Sequence, residues 1–286
     1  MSAKLGVGFI GAGPVTQAIH LPTLATLADR FRVAHVMDVD EQVAAVVAAR
    51  ADAQSTTQLD TLLEDPEVDV VAICSPDRFH ADQVAAVAAA GKRAILCEKP
   101  LATTVEEAQR IADVSVTSGV PVLVGAMHAY DPAWSAARQH WGDLAATGTL
   151  VRSVIYLPPN DEFHDLATDL AAPPPNPSTP RELSLEVQAQ RLRAGVLGLA
   201  THTIPQIRQF LPTCKQVTAA RFVPPFGYQI VVIGDDRTAE LIALMPGRWR
   251  PDWSFHVWGA DSELHIDFPP SYVLAGSATV TLRTGS

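Results

Sequence analysis

The sequence predicts an α/β protein in two parts: a doubly wound parallel sheet over residues 1–126, then an α+β domain with a largely antiparallel open sheet over 127–286. Three observations carry this expectation. Five continuous apolar runs before residue 126 alternate with helical stretches, the pattern of parallel strands covered on both faces. A glycine pair, Gly11 and Gly13, ends the first run where a helix should begin. Beyond residue 126 the alternation stops, and short β-like segments dominate the last third of the chain.

In chain order, the first strand is expected over residues 5–10, followed by an alanine-rich helix from about Val15 to Asp29. The second run, 33–37, leads to a helix from Glu41 to Ala51, and a short helical segment at 57–64 precedes the third run, 68–75. A helix from His80 to Ala90, the fourth run at 94–97, a helix at 105–118 and the fifth run at 120–125 complete the first part. The second part should open with a helix carrying Trp134 and Trp141, then a strand at 150–157. Seven prolines between Pro158 and Pro180 predict a long surface loop, because proline removes a donor from either kind of regular structure. One helical stretch over 182–211 follows, then candidate strands at 217–222, 228–233, 239–244, 254–258, 263–266 and 278–282.

Composition narrows the function classes. With 48% hydrophobic residues in 286, the chain can bury a real core, and its apolar runs are far shorter than the roughly 20 residues that span a bilayer. The first residues lead straight into a strand pattern without a signal-peptide segment, so the cytoplasm is the expected location. A formal net charge of -10 disfavours nucleic acid and anionic membranes as partners and leaves small molecules as the default ligand. Cys74, Cys97 and Cys214 are too few and too scattered for a disulfide framework or a zinc pair. The cluster Asp161, Glu162, His164 and Asp165 reads as a solvated acidic loop, and no metal is expected.

The chemistry-bearing motifs stand at strand ends. Gly11 permits a tight turn, Gly13 lets a pyrophosphate approach the backbone at a helix N-terminus, and Pro14 suits the first helical position. Thr16 occupies the place where a third small residue would ease helix-to-strand packing, so it must push the helix away or be accommodated locally. Asp38 ends the second run, 25 residues after Gly13, placed to accept hydrogen bonds from an adenosine ribose and to repel an added phosphate. That favours NAD over NADP. Ser75 and Pro76 follow the third run and could line the nicotinamide side, while His80 begins the next helix as a cap or a cofactor contact.

Taken together, GFIGAGP, ICSPDRFHADQ, GKRAILCEKPLATTVEEA and VLVGAMHAYDPAW resemble the family of glucose-fructose oxidoreductase, inositol dehydrogenase and their relatives. The resemblance implies a Rossmann domain in which Ile10, Gly11, Ala12, Gly13, Pro14, Val15, Asp38, Ser75, Pro76, His80, Glu98 and Lys99 line the cofactor. It assigns the E-K-P motif to Glu98, Lys99 and Pro100, with the lysine reaching both nicotinamide and substrate hydroxyl and the Lys-Pro peptide commonly cis. A lysine at the mouth of a buried strand can also stabilise charge developing on an alcohol oxygen.

By the same resemblance His202 is the histidine of a second motif and takes the alcohol proton. The aspartate expected four residues earlier is replaced by Gly198. Met127 to Pro132 lacks the family's usual arginine and asparagine, which turns His128 and Tyr130 towards the substrate. The implied function is an NAD-dependent oxidoreductase acting on a secondary alcohol or ketone of a sugar, cyclitol or sugar derivative, assembled as a homo-dimer or homo-tetramer. An NAD-using glycosidase and a catalytically degenerate nucleotide-binding relative are the alternatives. The chain also ends short of the family's usual last strand and helix.

Overall fold

The computed structural model describes residues 3–158, 168, 183–245, 251–269 and 276–285. These fall into two compact units that part after Gly125.

The first unit is built on a six-stranded parallel sheet. Its strands are β1 (Leu5–Ile10), β2 (Phe31–Met37), β3 (Gln54–Thr56), β4 (Val70–Ile73), β5 (Ala94–Cys97) and β6 (Val122–Val124), in the order β3-β2-β1-β4-β5-β6. The order reverses between β1 and β4, the switch point at which open α/β sheets bind ligands beyond the strand carboxyl ends. Alternate residues of one strand feed opposite cores, which is why the runs are apolar throughout. Val71 and Ile73 of β4 pack with Leu62, Val84 and Ile95, whereas Ala72 packs with Phe9, Val36 and Val47 on the other face. Each Val, Leu, Ile or Phe side chain among them contributes on the order of 1.5–3 kcal/mol by leaving water.

The helices between these strands are α1 (Leu21–Thr26), α2 (Glu41–Ala49), α3 (Leu59–Glu64), α4 (His80–Ala89) and α5 (Val105–Ser118). The last begins in a capping box, with Thr104 accepting from the Glu107 N–H and Glu107 accepting from Thr104, and ends at Gly119 in the left-handed region. The sequence placed most of these elements to within a few residues. It missed β3, a three-residue edge strand with exposed or half-buried polar side chains and no hydrophobic signature. The helix expected over 15–29 ends at Thr26, and it is not α-helical throughout. Residues Thr16–His20 form a π-helical turn in which the Leu21 N–H bonds to the Thr16 carbonyl.

The second unit sets α6 (Pro132–His140), α7 (Leu144–Thr147), α8 (Leu185–Gly198) and α9 (Ile204–Phe210) on one face of a seven-stranded mixed sheet. Its strands are β7 (Leu150–Tyr156), β8 (Gln216–Phe222), β9 (Gly227–Ile233), β10 (Thr238–Leu244), β11 (Asp252–Trp258), β12 (Ser262–Asp267) and β13 (Thr279–Thr284), in the order β13-β12-β11-β7-β10-β9-β8. All neighbours are antiparallel except β7 and β10. Trp134, Phe210, Val151, Ile155, Leu241, Phe255, Leu264 and Ile266 form the core between helices and sheet. The single helix expected over 182–211 is broken. Pro205 has no N–H to give to residue 201 and its ring would strike that carbonyl, so the chain passes through a 3-10 turn at Ala200–His202 and restarts at Ile204. Apart from Pro158 and Thr168, the proline-rich segment lies outside the described residues, as do Asp161, Glu162, His164 and Asp165.

Candidate active site

At the carboxyl edge of the parallel sheet, the turn after β1 is fixed by steric necessity. Gly11 has φ +95°, and a Cβ there would come within 2.8 Å of the Cys74 carbonyl carbon and the Ser75 nitrogen. The turn is then tied down by side chains. Thr16 Oγ1 donates to the Gly11 carbonyl at 2.7 Å, and Gln17 Nε2 to the Ala12 carbonyl at 2.8 Å. Thr16 is wholly buried, and it opens the stretch that is wound as a π turn. A Cβ at Gly13 would meet nothing within 4 Å, which leaves room beside the backbone at the helix start.

Asp38 follows β2 directly. One carboxylate oxygen accepts the Ala12 N–H at 2.8 Å and the other the Asp40 N–H at 3.0 Å. Each oxygen keeps a further lone pair, so the carboxylate can still accept from ribose hydroxyls. The open flank of Gly13 and this half-satisfied acid suit a dinucleotide. Val15 and Pro14 begin the helix, and Ile10 is fully buried at the end of β1.

After β4, Ser75 Oγ bonds to Gln83 Oε1, and Pro76 leads into a 3-10 turn at Asp77–Phe79. His80 is buried, with Nδ1 2.8 Å from the Pro100 carbonyl and Nε2 2.9 Å from the Ser75 carbonyl. It therefore clamps the turn after β4 to the turn after β5, and reads as a brace for both.

Glu98, Lys99 and Pro100 follow β5, and the Lys99–Pro100 peptide is cis. Glu98 is held by its neighbours: Oε1 lies 2.8 Å from His20 Nε2, Oε2 accepts the Lys99 N–H at 3.2 Å, and a Cβ at Gly125 would sit 3.0 Å from the carboxylate. Desolvation lowers the Lys99 ammonium below its ordinary value, against the pull of Glu98 and Asp77. Burial pushes the Cys97 thiol up to about 12, which removes it as a nucleophile. His20 and Gly125 are residues the sequence reading did not single out. A lone histidine in a first helical stretch otherwise without charge up to Thr26 was the available signal.

In the second unit, His128, His202, Trp253 and Phe268 form an aromatic cluster. His128 stacks on Phe268 with centroids 4.0 Å apart and meets Trp253 edge-on at 4.3 Å, and His202 meets Trp253 edge-on at 5.1 Å. His128 and His202 are 6.2 Å apart. Burial, opposed only by Asp131, lowers His128 to about 3, so it is neutral and packs as an aromatic ring. Tyr130 is 58% exposed. Gly198 ends α8, and a Cβ there would meet nothing within 4 Å. Among the described residues no group of three or more His, Cys, Asp or Glu could hold a metal ion, and no helix is long and apolar enough to cross a membrane.

Residues 5–126 match the model of an oxidoreductase family with an NAD-binding Rossmann fold. The chain is 40% identical over 132 residues to inositol 2-dehydrogenase 2 of Saccharopolyspora erythraea, covering 46% of this chain and 38% of that protein. It is 30% identical over 224 residues to levoglucosan dehydrogenase of Pseudarthrobacter phenanthrenivorans, covering 76% of this chain and 53% of the other. The chain thus spans about half or less of the length of the curated relatives it matches. Its fold is similar to that of GenD2 from gentamicin A biosynthesis, solved in complex with NAD, with TM-score 0.73 and 22% identity over 100% of this chain and 82% of that one.

Proposed function

The chain belongs, through residues 5–126, to the glucose-fructose oxidoreductase and inositol dehydrogenase family with its NAD-binding Rossmann fold, and we propose from this premise that it is an NAD-dependent oxidoreductase of sugars or cyclitols. The observation that carries the reading is the convergence of the Gly11 to Gly13 turn, Asp38 and the Glu98-Lys99 pair on the carboxyl edge of one parallel sheet. When bound, NAD supplies the hydride acceptor.

The chain's own residues do the rest. Asp38 takes the ribose hydroxyls and, as an anion, disfavours the 2′-phosphate of NADP. Lys99, whose charged form is held back by desolvation, donates a hydrogen bond to the reacting oxygen and stabilises the charge that develops there. His202 takes the alcohol proton, in a role carried over from the family's second motif, with no carboxylate at position 198 to assist it. The relatives named for inositol and levoglucosan support a polyhydroxylated ring as substrate class. A homo-dimer or homo-tetramer in the cytoplasm completes the reading.

The test is nicotinamide absorbance during incubation with a panel of cyclitols and anhydrosugars. At least one should be turned over, and Lys99→Ala should lower that turnover by about 100-fold or more. Undiminished turnover in the Lys99 variant would refute the assignment.

A further inference from the structure

The Glu98 carboxylate sits beside the catalytic lysine proposed above, yet it spends its interactions inward. One oxygen faces His20 Nε2 at 2.8 Å, the other takes the backbone N–H of Lys99, and its third side is the space left by the missing Cβ of Gly125. Both side chains of the pair are five-sixths buried, at 17% and 16% exposure. The partner comes from the π-helical turn that the Thr16 hydroxyl ties to the Gly11 carbonyl and whose last residue is His20.

We infer that His20 is a positioning residue: its imidazolium pairs with Glu98 to lock the E-K-P turn and to weaken the pull of the Glu98 charge on Lys99. The inference rests on the reading of Lys99 as the residue that meets the reacting oxygen. An unpaired carboxylate next to Lys99 would favour the ammonium and hold its proton more tightly. A paired one leaves desolvation in control, the balance described above for Lys99.

Around His20 stand the Phe9 ring, with centroids 6.1 Å apart, the Cys74 side chain and Glu98. Around Lys99 stand Glu98 and Asp77, and the neighbouring Cys97 is a neutral thiol. Burial disfavours the imidazolium, but the Cys74 and Glu98 contacts outweigh it and raise His20 from 6.5 to about 10. The group is therefore charged across the neutral range, as the role requires.

Two readouts test this on the full chain with neither substrate nor nicotinamide. The first follows the histidine ring signals by NMR from pH 5 to 9. His20, assigned by its loss in His20→Gln, should stay protonated throughout in the wild type; a midpoint near 6.5 would overturn the inference. The second measures modification of Lys99 by an amine reagent, read by peptide mass spectrometry against pH. His20→Gln keeps a hydrogen-bond donor but removes the charge, and should raise the Lys99 midpoint, slowing modification at pH 8 by about tenfold for each unit of rise. An unchanged midpoint in a folded His20→Gln protein would leave His20 a structural residue only. Should the midpoint move while no nicotinamide binds, His20 keeps its role and the dehydrogenase reading falls instead.

Discussion

A methyl group on Gly11 would collide with backbone atoms of Cys74 and Ser75 that cannot rotate away, and it would force an L side chain into φ +95°. Gly11→Ala should therefore cost more than the roughly 1–3 kcal/mol of backbone strain alone, seen as a lowered denaturation midpoint, and should abolish nicotinamide binding. His128 gives a pH prediction with a definite sign. Its folded value of about 3 lies below the ordinary 6.5, so between those values the unfolded chain binds a proton that the folded chain refuses. That part of the stability is complete above pH 6.5 and is lost as pH falls towards 3, by up to about 1.4 kcal/mol per pH unit. His128→Phe, which keeps the stack on Phe268, should lose less stability than the wild type between pH 7 and pH 5 in thermal melts. Equal losses would contradict the buried, neutral histidine. The places of Gly11, Asp38 and Lys99 at strand ends were legible because each follows an apolar run. His20 was not, because its partner Glu98 lies 78 residues away and only the folded sheet edge brings the two together.

Elements were legible in proportion to how completely hydrophobicity and turn chemistry specify them. The helix at Val105–Ser118 announces both ends, with a capping box before it and Gly119 after it. The edge strand Gln54–Thr56 announces neither, and its existence depends on pairing with β2. The π turn at Thr16–His20 has no pattern of its own in the sequence. Thr16→Ala removes the bond to the Gly11 carbonyl and should destabilise the protein by about 1–2 kcal/mol in chemical denaturation, through the lost hydrogen bond and the methyl-sized gap. At the end of α8, the open space beside Gly198 allows the opposite experiment. Gly198→Asp should fold normally and raise turnover by supplying the carboxylate that the family's second motif carries. A folded variant with unchanged turnover would mean that His202 works without such help.

At the scale of the molecule, a doubly wound parallel sheet and a mixed seven-stranded sheet could be read from the change of rhythm after residue 126, because each sheet type writes its own periodicity. The burial of His128 could not be read in the same way, since only packing decides it. The central claim is that the first sheet's carboxyl edge binds NAD, with Asp38 selecting against a phosphorylated ribose. The most direct test is a parallel fluorescence titration of the purified chain with NADH and NADPH. Saturable binding of NADH, with NADPH weaker by tenfold or more and the preference lost in Asp38→Ala, is the predicted result. Equal affinity for the two, or no binding of either, would contradict the account.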